Sequence, residues 1–206
     1  MIITIGRQLG SGGLQIGQLV AKELGYDFYD KQLITEAARD SGLREDFFTN
    51  VDEKANKKLS ALGFLGLRGS FSGDSFINTN SLSANNLFLL QSQTMERLAL
   101  SSENGAVFIG RCAHYVLRNH KNLFRVFITA DTEFRVNQVM NRNNCTEQEA
   151  KNLMEKVDRQ RAEYNDFYAN GGWGVASNYD ISINSAKFGI EGTAKLLVDI
   201  IRNNLG

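Results

Sequence analysis

The chain has 206 residues, 42% of them hydrophobic, and its 23 basic and 23 acidic residues leave no formal net charge. A chain of that length buries roughly 70% of its unfolded surface around one core, so one domain with an embellishment is expected. The charge balance argues against a general nucleic-acid coat or a membrane-surface protein, and the two cysteines, Cys112 and Cys145, lack the spacing and histidine company of a metal site or a disulfide framework.

Met1 leads straight into an apolar run with no signal peptide before it, and no apolar stretch approaches the ~20 residues of a membrane span. A cytoplasmic protein is expected. Ile2, Ile3 and Ile5 predict a buried parallel strand, and Gly10, Ser11, Gly12 and Gly13 let several backbone N–H groups face one concavity. A helix starting near Leu14, with Ile16, Leu19, Val20 and Leu24 on one stripe, adds its positive end. Phosphate is the natural occupant of such a cradle.

A complete phosphate loop needs Gly, four residues, then Gly-Lys-Ser/Thr, because the lysine reaches the terminal phosphates and the hydroxyl binds Mg²⁺. With Gly12 as the second motif glycine, Arg7 stands at the first glycine, Gly13 at the lysine and Leu14 at the hydroxyl. Arg7 is then the replacement cation, since a guanidinium grips phosphate oxygens bidentately.

Further along, Phe28 to Tyr29, Ala106 to Ile109, Arg125 to Thr129 and Asp180 to Asn184 complete a set of five strands, each followed by helix-like sequence. The alternation predicts right-handed crossovers and a parallel sheet with helices on both faces. Ligands of such sheets bind beyond the carboxyl ends of the strands, where Gly10 to Gly13, Asp30, Arg111 and Asp131 fall. Helix-like stretches at Arg44 to Leu62 and Asn86 to Leu100 predict a piece inserted between strands two and three, and the Gly, Ser and Asn richness of residues 63–86 predicts a long mobile loop within it. Thr146 with Glu149 forms a capping box opening a helix that reaches Tyr164 or Phe167. Asp30 reads as a helix N-cap for the segment from Lys31. The two histidines receive no chemistry, and Trp173 reads as a loop anchor rather than a base-stacking residue.

With Ile3-Thr4-Ile5-Gly6-Arg7, Gly10-Ser11-Gly12-Gly13, Phe28-Tyr29-Asp30-Lys31, Gly110-Arg111-Cys112-Ala113, Asp158-Arg159-Gln160-Arg161, Tyr179-Asp180 and Ile190-Glu191-Gly192, the chain resembles the cytidylate kinase-like family, a divergent branch of the P-loop nucleoside monophosphate kinases. The resemblance spans nearly the whole chain and is weakest over residues 44–100. It implies a three-layer α/β/α fold with a parallel five-stranded sheet, forming one P-loop kinase-like domain over residues 1–206. Within that domain it implies a helical acceptor-side insertion at about 40–100 and a lid at about 140–165.

The implied activity is ATP- and Mg²⁺-dependent phosphoryl transfer to a nucleoside monophosphate or similar small acceptor, with no nucleic-acid polymer or membrane as partner. Carried over, Gly10, Ser11, Gly12 and Gly13 hold donor phosphates together with Arg142 and Arg159 of the lid region, while Asp30 stands near the acceptor. Arg111 grips the acceptor phosphate, and Arg7, Arg111, Asp158 and Arg161 form the catalytic set. The family's arginine after the two glycines is Leu14 here, the aspartate of its Gly-Arg-Asp is Cys112, and the arginine six residues after Asp30 is Glu36. Two rival readings stay open: a non-catalytic nucleotide-binding regulator, and a kinase of another small metabolite.

Overall fold

The computed structural model describes residues 1–40 and 77–204. In chain order these form β1 (Ile2–Arg7), α1 (Gly13–Leu24), β2 (Asp27–Tyr29), α2 (Lys31–Asp40), α3 (Ile77–Ser101), β3 (Ala106–Ile109) and the single-turn α4 (Ala113–Val116). They continue through β4 (Leu123–Thr129), α5 (Thr132–Asn143), α6 (Glu147–Tyr168), a 3₁₀ turn at Ala176–Asn178, β5 (Ile181–Asn184) and α7 (Gly189–Asn204).

All pairings are parallel in the order β2-β3-β1-β4-β5, with Ile3 beside Val107 and Phe124, and Arg7 beside Ile128. The strands are continuous apolar runs because both faces are covered. On one face Ile3, Ile5, Val107, Ile109, Val126, Ile128 and Ile183 meet Ile16 and Val20 of α1 and Leu197, Val198 and Ile201 of α7. Alternation sends Thr4, Gly6, Phe108 and Phe127 to the opposite face. The expected three-layer α/β/α architecture with a parallel five-stranded sheet is the one observed, with β1 at the centre and its carboxyl end facing the crevice where ligands of such folds bind.

The chain divides into two compact units, Met1–Gln32 with Met95–Gly206, and Leu33–Thr94. The first contains the whole sheet. Within the second, Ile34 and Leu90 are buried and Gln91 Nε2 donates to Thr35 Oγ1 at 3.0 Å. The helix expected at Arg44 to Leu62 lies outside the described residues, as does most of the loop expected at 63–86. The remainder of that loop is corrected: residues 77–86 are the opening turns of α3. Asn and Ser are weak helix formers, but extending an existing helix costs far less than nucleating one, so a long apolar-patterned helix carries its polar leader. The Thr146–Glu149 capping box is present in full.

Candidate active site

The turn after β1 is built by packing rather than by its glycines alone. Ser11 is wholly buried, its hydroxyl donating to Gln8 O at 2.9 Å and its carbonyl accepting the Ser185 hydroxyl at 2.7 Å. Gly10 and Gly12 sit at φ 80° and 73°, a left-handed conformation that glycine adopts freely. Gly12 caps α1 with no side-chain hydrogen bond, so the first-turn amides of Gly13, Leu14 and Gln15 are left for an outside acceptor.

The stretch leading into that turn is clamped from α5 and α6. Leu9 N–H donates to Asp158 Oδ1 at 2.8 Å, Arg135 Nε donates to Leu9 O at 2.7 Å, and Arg161 Nη1 donates to Arg7 O at 2.9 Å. The other Asp158 oxygen accepts a hydrogen bond from Arg135 Nη2 in an ion pair whose side chains are only 15% and 9% exposed.

Beyond the carboxyl ends of β1 and β3 lies a cavity of about 390 Å³. Among the described residues, four cationic side chains, Arg7, Lys31, Arg111 and Arg161, line it, and no aspartate or glutamate does. Its inner wall is Thr4, Gly6, His114, Trp173 and Tyr179. The cations feel one another: burial first, then Arg161 and Arg111, lower the Arg7 guanidinium to about 9, against the opposing pull of Asp30 and Asp158. Lys31 is lowered chiefly by Arg111, then by burial and Arg7. Burial likewise lowers Arg161. Arg111 stands over the Tyr164 ring, 5.0 Å from its centroid, in a left-handed backbone conformation at φ 51°.

Arg7 links the turn to the cavity. Its stem packs on Gly13, where an added Cβ would come within 2.6 Å of Arg7 Cβ, and its Nη1 passes Gly110, where an added Cβ would come within 2.0 Å.

The expected residues therefore fall into groups. Arg7, Arg111 and Arg161 share the cavity. Asp158 lies beneath them with its carboxylate committed to Leu9 and Arg135. Gly10, Ser11, Gly12 and Gly13 form the turn. Asp30 is the N-cap of α2, its Oδ1 accepting the Gln32 N–H at 2.9 Å. Arg159 turns to solvent, 62% exposed and 3.0 Å from Glu155, and Arg142 is exposed in the last turn of α5; neither lines the cavity.

Asp131 pairs with Lys187 at 2.9 Å and accepts from Asn184 at 2.7 Å. Lys31 and Arg135 were missed as site residues. The signal for Lys31 was its place after Asp30 at a strand's carboxyl end; that for Arg135 was an arginine one turn into the helix after β4. Trp173 does anchor a loop, edge-on to Phe127 at 5.4 Å, but it also walls the cavity, as does His114. The Cys112 thiol, pushed up to about 12 mainly by burial, is inert.

A sequence profile of the cytidylate kinase-like family matches residues 2–187. The chain belongs to that family. No curated protein matches it. Among solved structures it is similar to an uncharacterized protein from Eubacterium ventriosum, at 24% identity and a TM-score of 0.73 over 99% of both chains. It is also similar to TT1252 from Thermus thermophilus, at 16% identity and TM-score 0.56 over 100% of this chain and 98% of that one. A third likeness is to shikimate kinase from Bacteroides thetaiotaomicron, at 12% identity and TM-score 0.52 over 98% of each. At these identities the structural likeness shows the fold alone, and that fold is the P-loop type of nucleotide and small-metabolite kinases. Among the described residues, no helix of this family member is long and apolar enough to cross a membrane.

Proposed function

We propose that this protein is an ATP-dependent phosphotransferase acting on a small anionic acceptor of the nucleoside monophosphate type. One observation carries the reading: Arg7 joins a helix N-terminus without a side-chain cap to a cavity that, among the described residues, is lined by cations and by no carboxylate. The α1 amides hold the donor's phosphates. Lys31, Arg111 and Arg161 hold the acceptor's anionic group, and Arg7 stands between them, where charge spreads over the transferring group.

Phosphoryl transfer asks for little covalent chemistry from the protein, so positioning and charge neutralisation are the catalytic task. Arg142 and the start of α6 form the outer lid in this reading, while Arg159 stays on the solvent side of α6 beside Glu155. The segment around residues 40–100 is the acceptor-side insertion, and the protein works in the cytoplasm as one kinase-like domain.

ATP fits the turn: glycines and unused first-turn amides make a phosphate cradle. A protein-held Mg²⁺ does not fit the same residues. Leu14 stands where the metal-binding hydroxyl belongs, no carboxylate among the described residues lines the cavity, and the Asp158 carboxylate is occupied. Mg²⁺ arriving with ATP would rest on phosphate oxygens and water, so no step is assigned to a metal held by the chain.

The absence of lysine and hydroxyl at Gly13 and Leu14 favours a second reading, a regulator that binds nucleotide without turning it over. Incubation with ATP, Mg²⁺ and a panel of nucleoside monophosphates and hydroxylated carboxylic acids separates these possibilities. ADP release dependent on a monophosphate supports the first reading, and release with another acceptor makes the protein a kinase of a different metabolite. Binding without ADP release identifies a regulator, and absence of ATP binding defeats all three.

A further inference from the structure

We propose that Arg7 supplies, from the end of β1, the cation that a phosphate-loop lysine would project from position 13, and that Gly13 and Gly110 are positioning residues whose missing side chains are its passage. The inference rests on the phosphoryl-transfer reading above and assigns a steric reason to two glycines. A Cβ at Gly13 would lie 2.6 Å from Arg7 Cβ and 3.0 Å from Arg7 Cγ; one at Gly110 would lie 2.0 Å from Arg7 Nη1.

The contact at Gly13 is with the root of the arginine. That root follows the backbone of the central strand, which is paired through Arg7 itself to Ile128, so it cannot swing aside as a side-chain tip can. Gly13 is the first residue of α1 and is not among the glycines at positive φ. Its backbone would accept any residue, so Arg7 is what demands glycine there. Gly110 is different: its φ of 73° already favours glycine, and the guanidinium takes the space beyond it. A side chain at 13 and a side chain at 7 therefore exclude each other. Arginine at 7 with glycine at 13 is one solution, and glycine at 7 with lysine at 13 is the other.

The test is calorimetric titration of the full chain with inorganic tripolyphosphate and with ATP, alongside unfolding curves. R7M keeps the stem and removes the charge; its affinity for both should fall by about tenfold or more, as loss of a charge-assisted phosphate contact predicts, while R7K keeps part of it. G13K alone should bind no better than the unchanged protein and unfold at lower temperature. R7A/G13K should stay impaired because the clash is with Cβ. R7G/G13K should recover affinity to within about threefold of the original.

Unchanged binding by R7M overturns the proposal, as does a gain in affinity from G13K with Arg7 in place. Failure of R7G/G13K to outperform R7M overturns the exchange. In each of these cases the phosphotransferase reading still stands on the activity of the unchanged protein. Absence of tripolyphosphate and ATP binding by the unchanged protein overturns both.

Discussion

The Asp158 carboxylate accepts the Leu9 N–H at 2.8 Å, fastening the middle of α6 to the chain just before the glycine turn. Arg135 completes the clasp by binding both the Leu9 carbonyl and the second Asp158 oxygen. The family resemblance places Asp158 in the catalytic set. Its geometry is that of a positioning residue, because both carboxylate oxygens serve the protein.

Removing this carboxylate should be costly. D158A leaves Arg135, 8% exposed, without its partner and Leu9 N–H without its acceptor. Urea unfolding should register a loss of about 3–5 kcal/mol, the range for breaking one side of a buried pair. D158N, which keeps an oxygen for Leu9, should lose less. If D158A lowered turnover while leaving stability untouched, a direct role at the substrate would replace the positioning one.

Mutual repulsion among Arg7, Lys31, Arg111 and Arg161 is relieved when an anion enters their cavity. Pyrophosphate at about 100 times its dissociation constant should therefore add about 2.7 kcal/mol, read as a rise in Tm of roughly 5–10 °C for a chain of this size. Sodium chloride of equal ionic strength should not reproduce the rise. K31M, which removes one of the cavity's cations, should shrink it.

Burial, and secondarily Arg125, lower His114 to about 4, so it is neutral in the folded protein at pH 7. Because the unfolded chain takes up this proton first, the stability His114 contributes is complete above about pH 6.5 and is lost as the pH falls toward 4. Unfolding free energies of the unchanged protein and H114Q, compared between pH 7 and 4, should converge as the pH drops. Parallel curves would show that the imidazole has no depressed titration.

Two neighbouring arginines on α6 should behave oppositely. Among the described residues Arg159 makes only a solvent-exposed pair with Glu155, so R159A should change stability by less than about 0.5 kcal/mol and leave anion affinity alone. Arg161 hydrogen-bonds the Arg7 carbonyl and lines the cavity, so R161M should weaken tripolyphosphate binding by about tenfold. Equal responses in a titration would contradict the division of α6 into an outward and an inward face.

Local pattern alone determined the parallel sheet, the glycine turn and the capped start of α6. Each depends on residues adjacent in sequence: β-branched runs, consecutive glycines, and a threonine three places before a glutamate. The same adjacency suggested Arg7 as the stand-in cation. It did not distinguish Arg159 from Arg161, because both belong to one charged helix and only the direction from which α6 meets β1 sends one inward. Nor did it find Lys31 or Arg135, whose relation to Arg7 and Leu9 exists only after strands distant in sequence are laid side by side. The polar leader of α3 escaped for a related reason, since helix propagation from a well-formed neighbour overrides local propensity. Tertiary structure also explained Gly13: a glycine in an ordinary helical conformation looks optional until the arginine packed against it is seen.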